Sequence, residues 1–205
     1  GDNMALGLGW GRTLRAVLRA IPNRPLQGVS VVCLQGGLSH CSGINTFELV
    51  SAYADRFGAD QHFFAAPVFA SSEADREMIL AQEPTRETYD KGRNADFALF
   101  TAGEISDSML VTYGVETAEE RASLQAAGAV GDVLGTFLDA EGAAIDHPLN
   151  RRSVAIAPSD LRGVGRRILV AGGGHQSMAI RAALLSGTPN VLITDELSAQ
   201  ELLDQ

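Results

Sequence analysis

The chain of 205 residues carries 16 Lys plus Arg against 25 Asp plus Glu, a formal net charge of −9, so its own field repels nucleic acid. A hydrophobic fraction of 45% supports a packed core, and the length suits one sizeable α/β domain or two small ones. No run of about eighteen apolar residues and no charged-then-apolar leader occurs, which argues against a membrane span or secretion. Two cysteines, Cys33 and Cys41, make neither a disulfide framework nor a zinc site, so a reducing, cytoplasmic compartment is expected.

The first apolar run, Met4-Ala5-Leu6, has only Gly1-Asp2-Asn3 before it, and a longer parent protein is expected. It runs into Gly7-Leu8-Gly9-Trp10-Gly11-Arg12-Thr13, a strand end with closely spaced glycines that opens a helix. Such a turn leaves backbone N–H groups pointing outward with the helix dipole behind them, and Arg12 and Thr13 add donors suited to a phosphate or carboxylate. The spacing is neither GxGxxG nor a P-loop, and a tight turn without a ligand fits this stretch equally well.

Helical spacing of Leu14, Val17, Leu18 and Ile21 predicts a helix from Thr13 to Ile21, stopped by Pro22 and Pro25. Val29 to Leu34 is a continuous apolar, β-branched run, the pattern of a strand buried on both faces, and it ends at Gln35-Gly36-Gly37. A helix from Asn45 to Phe57 with Gly58 as its cap follows, then a strand over Gln61 to Phe69 bearing Ala65-Ala66-Pro67. Ser71 to Lys91 reads as helix broken at Pro84, and Phe97 to Thr101 as a fourth buried strand closing on Ala102-Gly103-Glu104.

Glu116 to Ala127 reads as a helix delivering the chain to Gly128-Ala129-Val130-Gly131-Asp132. A hairpin is expected within Val133 to Ala144, turning at Asp139-Ala140-Glu141-Gly142. Ile168 to Ala171 is a further buried strand ending in Gly172-Gly173-Gly174, followed by a helix over Ser177 to Leu185, a short strand over Val191 to Thr194 and a helix from Ser198. The alternation of strand and helix predicts an α/β class, a Rossmann-like doubly wound, mostly parallel sheet in a single domain over 1–205. Ligands of such a sheet belong at the carboxyl ends of its strands, where these glycine turns fall.

The four histidines, His40, His62, His147 and His175, have no spacing suited to a shared metal, and no His-x-Glu or Cys-x-x-Cys pattern occurs, so neither metal nor cofactor is expected. Ser39, His40 and Cys41 are sequence neighbours on a loop and read as solvated instead of as a nucleophile with its base. Asp132 is either a cap or turn residue or an acceptor for sugar hydroxyls. Asp195-Glu196 reads as the acidic start of the last helix.

Taken together and in order, Gly9-Trp10-Gly11-Arg12-Thr13-Leu14, Gln35-Gly36-Gly37, Ala66-Pro67, Gly128-Ala129-Val130-Gly131-Asp132, Ala171-Gly172-Gly173 and Leu192-Ile193-Thr194-Asp195-Glu196 resemble the effector-binding domain of the SorC family of bacterial transcriptional regulators. The resemblance covers nearly the whole chain. It implies the fold shared by glucosamine-6-phosphate deaminase, ribose-5-phosphate isomerase and the CoA transferases, used to sense a sugar, sugar phosphate or polyol without catalysis. It also implies homodimers, tetramers in the full-length protein, and contact with operator DNA only through an N-terminal helix-turn-helix domain that this sequence does not contain.

By motif, the resemblance assigns Gly9, Trp10, Gly11, Arg12 and Thr13 to the anionic end of the effector. Gln35 and Asn45 fall on the following turns, Asp132 on the sugar hydroxyls, and Gln176 completes the ring. Family members often carry lysine at the Gln176 position and some carry arginine at Gln35. Neutral amides there remove charge-assisted bonds worth roughly 1.5 to 3 kcal/mol each. Arg12 and His175 keep a singly phosphorylated sugar open, with a neutral sugar or polyol as its competitor. The alternative is a sugar-phosphate isomerase or deaminase of the same fold. It needs a base near the sugar carbon, for which only Asp132 and Glu104 qualify, and the sole lysine, Lys91, lies away from the glycine turns.

Overall fold

A computed structural model describes residues 3–38, 45–115, 117–173 and 175–204. In chain order its first elements are β1 (Ala5–Leu8), α1 (Arg12–Ala20), β2 (Ser30–Cys33), α2 (Thr46–Phe57), β3 (Asp60–His62), α3 (Glu73–Ala81), α4 (Glu83–Arg93) and β4 (Phe97–Phe100). They are followed by β5 (Ala102–Glu104), α5 (Met109–Gly114), α6 (Ala118–Ala126), β6 (Gly131–Val133), β7 (Thr136–Leu138) and α7 (Pro148–Arg152). The remainder is β8 (Arg166–Val170), α8 (Ser177–Leu185), β9 (Val191–Ile193) and α9 (Glu196–Leu203).

Six strands pair in the order β3-β2-β1-β4-β8-β9, every pair parallel, which is the doubly wound arrangement expected from the alternation of elements. The central strands are buried on both faces because their residues are apolar without alternation; Val31, Val32, Cys33, Leu8, Ala98 and Phe100 are all sealed. Helices cover the sheet through single apolar stripes. α1 turns Leu14, Val17, Leu18 and Ile21 inward and leaves Arg19 exposed. Asn45 caps α2 by accepting from the Thr46 N–H, and Gly58 ends it in the left-handed region at φ +61°. Pro84 divides the polar stretch as expected: Gln82 is extended, α3 ends before it and α4 begins after it.

Elsewhere the structure departs from the expected boundaries. The third strand covers Asp60–His62 only. Beyond it the chain runs extended and touches its neighbours through single bridges, Gly37 with Pro67 and Phe69 with Ser153, because Pro67 has no N–H to donate to a ladder. Residues 131–133, expected as part of a turn, are β6 of a second, three-stranded antiparallel sheet in the order β5-β6-β7. The β6–β7 hairpin turns through Leu134 and Gly135, both at positive φ (49° and 76°), the geometry that matches strand twist. The Asp139–Gly142 turn comes after β7 and brings Ala144 back against Leu138. Among the described residues no helix is long and apolar enough to cross a membrane. An apolar margin lies at the β9 edge, where Ile193, Leu197 and Leu203 are exposed.

Candidate functional site

The strand order reverses direction at β1 and β4, whose connections leave toward opposite ends of the sheet, and a crevice forms above their carboxyl ends. The Gly7–Thr13 stretch makes its first wall. A Cβ on Gly9 would lie 3.1 Å from Phe100 Cβ and 3.2 Å from Leu134 Cδ2, so the missing methyl lets the second sheet dock against the end of β1. Gly11 is the N-cap of α1 at φ +120° and offers no side chain, and the first turn of α1 holds no acidic residue. The first N–H groups of that helix therefore have no side-chain partner among the described residues.

The second wall comes from the small sheet. β6 places Asp132 opposite Gly103 of β5, and the carboxyl is buried. Its Oδ1 accepts a hydrogen bond from Ser108 Oγ at 2.5 Å, leaving Oδ2 without a partner among the described residues. Burial pushes the Asp132 carboxyl up to about 7, and the Ser108 hydroxyl opposes that rise. Nearby, Glu104 Oε2 accepts from the Ala179 N–H in the first turn of α8, and burial raises this carboxyl as well.

These walls enclose a cleft of about 60 Å³, lined by Trp10 to Thr13, Thr101 to Gly103, Asp107 to Leu110, Asp132 and Gln176. The structure thus brings together Trp10, Gly11, Arg12, Thr13, Asp132 and Gln176, separated widely in sequence. Gly9 stands behind the wall as a packing position. Gln35 does not line the cleft; its side chain is fully buried, and neither Nε2 nor Oε1 has a hydrogen-bond partner among the described residues. Asn45 also stands off the cleft lining. Its Oδ1 accepts from the Leu38 N–H at 3.1 Å and its Nδ2 donates to the Leu38 carbonyl at 2.7 Å. Ser39, His40 and Cys41 lie outside the described residues.

A family model described as "Putative sugar-binding domain" matches residues 1–204. The chain is 32% identical over 206 residues to the deoxyribonucleoside regulator of Bacillus subtilis, covering 99% of this chain and 65% of that protein. It is likewise 32% identical to the erythritol catabolism regulatory protein EryD of Brucella abortus, over 100% of this chain and 65% of the relative. The full-length sorbitol operon regulator SorC of Klebsiella pneumoniae superposes with a TM-score of 0.91 at 24% identity, covering 98% of this chain and 67% of that one. The chain belongs to the sugar-binding domain family of SorC-type regulators. It spans just under two thirds of the length of those curated relatives.

Within this SorC-type domain two of the C-terminal motif turns are joined to each other. The Ala171-Gly172-Gly173 turn is pinned by Asp195, whose Oδ2 accepts from the Gly173 N–H at 2.8 Å while Oδ1 caps α9 through the Ser198 N–H at 2.9 Å. Backbone and hydroxyl donors hold the Asp195 carboxyl below its ordinary range. Residues that sequence reasoning missed are Thr101, Ser108 and Asp107. Ser108 stands immediately before the apolar Met109-Leu110-Val111, a helix-start signal that the structure bears out as the cap of α5. Asp107 carries no local signal; its Oδ2 lies 3.3 Å from Arg12 Nη2 and 3.8 Å from His175 Nε2.

A larger cavity of about 570 Å³ lies on the far side of α5, between Gly37, Pro67 to Ser71, Thr112 to Val115, Glu120, Arg121, Leu149 and Arg152. Its charged groups are already engaged with the protein. Arg152 Nη2 meets Glu120 Oε1 at 2.6 Å, and Arg121 Nη2 donates to the Val115 carbonyl at 3.1 Å; Arg152 Nε alone is left buried without a partner. Gly37 and Pro67 of the motif turns border it, whereas Trp10 to Thr13, Asp132 and Gln176 line the smaller cleft.

Proposed function

We propose that this domain is the effector sensor of a bacterial transcriptional regulator, binding a sugar, sugar phosphate or polyol in the cleft between Trp10–Thr13, Asp132 and Gln176 and thereby controlling DNA binding by the full-length protein. Gly9 packs behind that site against Phe100 and Leu134, while Gln35 and Asn45 stand off its lining. The observation that carries the reading is Asp132. A carboxyl is buried beneath a cleft at the reversal point of a doubly wound sheet, with one oxygen held by Ser108 and the other left for a ligand. Burial of such a group is offset when hydroxyls of a ligand complete its hydrogen bonds. The names of the relatives, which concern deoxyribonucleosides, erythritol and sorbitol, point to the same polyhydroxylated chemistry.

The domain acts without catalysis. Isomerisation needs a base with a companion Lys or His at the sugar carbon, whereas among the described residues the buried Asp132 is bonded to Ser108 and to no Lys or His, and His175 stands 3.8 Å from Asp107 instead. Lys91 sits in α4, away from the cleft lining. As a single effector-binding unit of a cytoplasmic regulator, the domain works in a homodimer or a tetramer and reaches operator DNA only through a separate DNA-binding domain of the parent protein. A thermal-shift screen of free and phosphorylated sugars and sugar alcohols tests this. One compound should stabilise the domain and be recovered unchanged; its conversion to an isomer, or silence across the whole panel, overturns the reading.

At about 60 Å³ the cleft is smaller than the ~300 Å³ at which ligand pockets usually begin. Effector entry therefore requires the cleft to widen, and the Asp107–Leu110 wall is one of its sides. That wall rests on α5, six residues long, and on the exposed pairing of Asp107 with Arg12. The same wall is also held by Ser108, whose Oγ donates to the buried Asp132 Oδ1.

A further inference from the structure

Building on the sensor reading, we infer that the cleft selects an uncharged polyhydroxylated effector, and that Asp107 is the residue that turns phosphorylated ones away. Arg12 is the only cationic side chain among the described residues lining the cleft, and Asp107 faces it at 3.3 Å from the opposite wall. The same Asp107 oxygen stands 3.8 Å from His175 Nε2, so one carboxylate of the chain lies between the two groups that would otherwise meet a phosphate.

The helix termini repeat the pattern. α1 opens on the cleft without an acidic residue in its first turn, a place where a phosphate would settle, but Arg12 at its head is already matched by Asp107. α8 opens beside Gln176, and Glu104 already accepts from the Ala179 N–H in its first turn. A dianion entering here therefore meets Asp107 in front of Arg12, and no unmatched cation among the described residues that line the cleft.

Hydroxyl groups fit where a phosphate does not. Asp132 Oδ2, the Thr13 and Thr101 hydroxyls and the Gln176 amide both line the cleft and offer acceptors or donors without net positive charge. A hydroxyl of the ligand both donates and accepts, so it can answer an acidic carboxylate on one side and an amide on the other.

The test uses the full chain, labelled with ¹⁵N, and inorganic phosphate as the probe, followed through the amide signals of Gly11 to Leu14. Asp107→Asn should bind phosphate at least tenfold more tightly than the wild type, and adding Arg12→Ala should abolish the gain. Equal phosphate affinity in the wild type and Asp107→Asn overturns the role of Asp107. In parallel, wild-type protein is offered sugars and sugar alcohols beside their monophosphates. Preference for an uncharged member by tenfold or more supports the inference, and preference for a phosphorylated one overturns it. No binding by any member sinks the sensor reading itself and the effector class with it, while the phosphate titration still judges Asp107 separately.

Discussion

Ser108 Oγ lies 2.5 Å from Asp132 Oδ1 and is also the N-cap of α5, accepting from the Leu110 N–H at 3.1 Å. One hydroxyl thereby fixes both the buried acid of the cleft and the helix that begins in its wall. A hydroxyl has one proton to donate and two lone pairs to accept with, so both tasks are met at once.

Ser108→Ala removes both. Loss of the cap costs about 1 kcal/mol and loss of the donor to a buried carboxyl about 1 to 3 kcal/mol, so urea denaturation should show a drop of roughly 2 to 4 kcal/mol. The Asp132 carboxyl should also titrate higher, because the Ser108 bond is what pulls it down. A loss below about 0.5 kcal/mol, the range of an ordinary surface change, would show that the hydroxyl holds neither group.

The pH dependence of stability has a definite sign. Asp132 has a folded-state pKa of about 7 against an ordinary value of 3.8. The folded protein therefore favours the protonated form. Its contribution is complete below the unfolded value and is lost as pH rises through the folded one. Measured from pH 5 to pH 8, the melting temperature of the wild type should fall relative to that of Asp132→Asn, whose amide does not titrate. A difference that stays constant over that range contradicts the buried, raised carboxyl.

Gln35 gives a second separation of stability from function. Its amide is sealed in the interior with neither Nε2 nor Oε1 partnered among the described residues, a state that costs roughly 1 to 3 kcal/mol. Gln35→Met, close in shape and apolar, should raise stability by about 1 kcal/mol in chemical denaturation. If the amide is kept for the effector, affinity for the stabilising sugar should fall in the same variant. A less stable Gln35→Met would mean that the amide is satisfied in solution.

Gly103→Ala tests the packing beneath the cleft. The new methyl would stand 2.6 Å from Asp132 Oδ1 and 2.9 Å from Ser108 Oγ, both held by their mutual bond. Overpacking of this kind costs about 1 to 3 kcal/mol, and here it should also weaken effector binding by displacing Asp132. Unchanged sugar affinity would separate the position of the carboxyl from recognition.

The large sheet was legible in sequence because its signals are local. The runs through Val31 to Leu34 and Phe97 to Phe100 are apolar without alternation, and Pro84 is tolerated only in a first helical turn, so a helix must start beside it. The second sheet was not legible. Gly131 to Val133 becomes a strand by pairing with Ala102 to Glu104, and Gly131 fits there since a Cβ would press on Ala179. Within the site, the glycine turn and Asp132 were found from motif and order. Asn45 was placed by the same order, and its amide bonds to the Leu38 backbone. Asp107 left no trace in the sequence, because its meaning depends on Arg12 and His175 reaching the same point from distant turns.

Asp195 ties the Gly172–Gly173 turn, and through it the approach to Gln176, to the start of α9. The first wall of the cleft, at residues 10 to 13, leaves the ribosome well before Asp195, the carboxylate that anchors this turn. Chains emerge N-terminus first and domains fold as units. A nascent copy therefore lacks the tie between this turn and α9 until residues 195 to 198 are out.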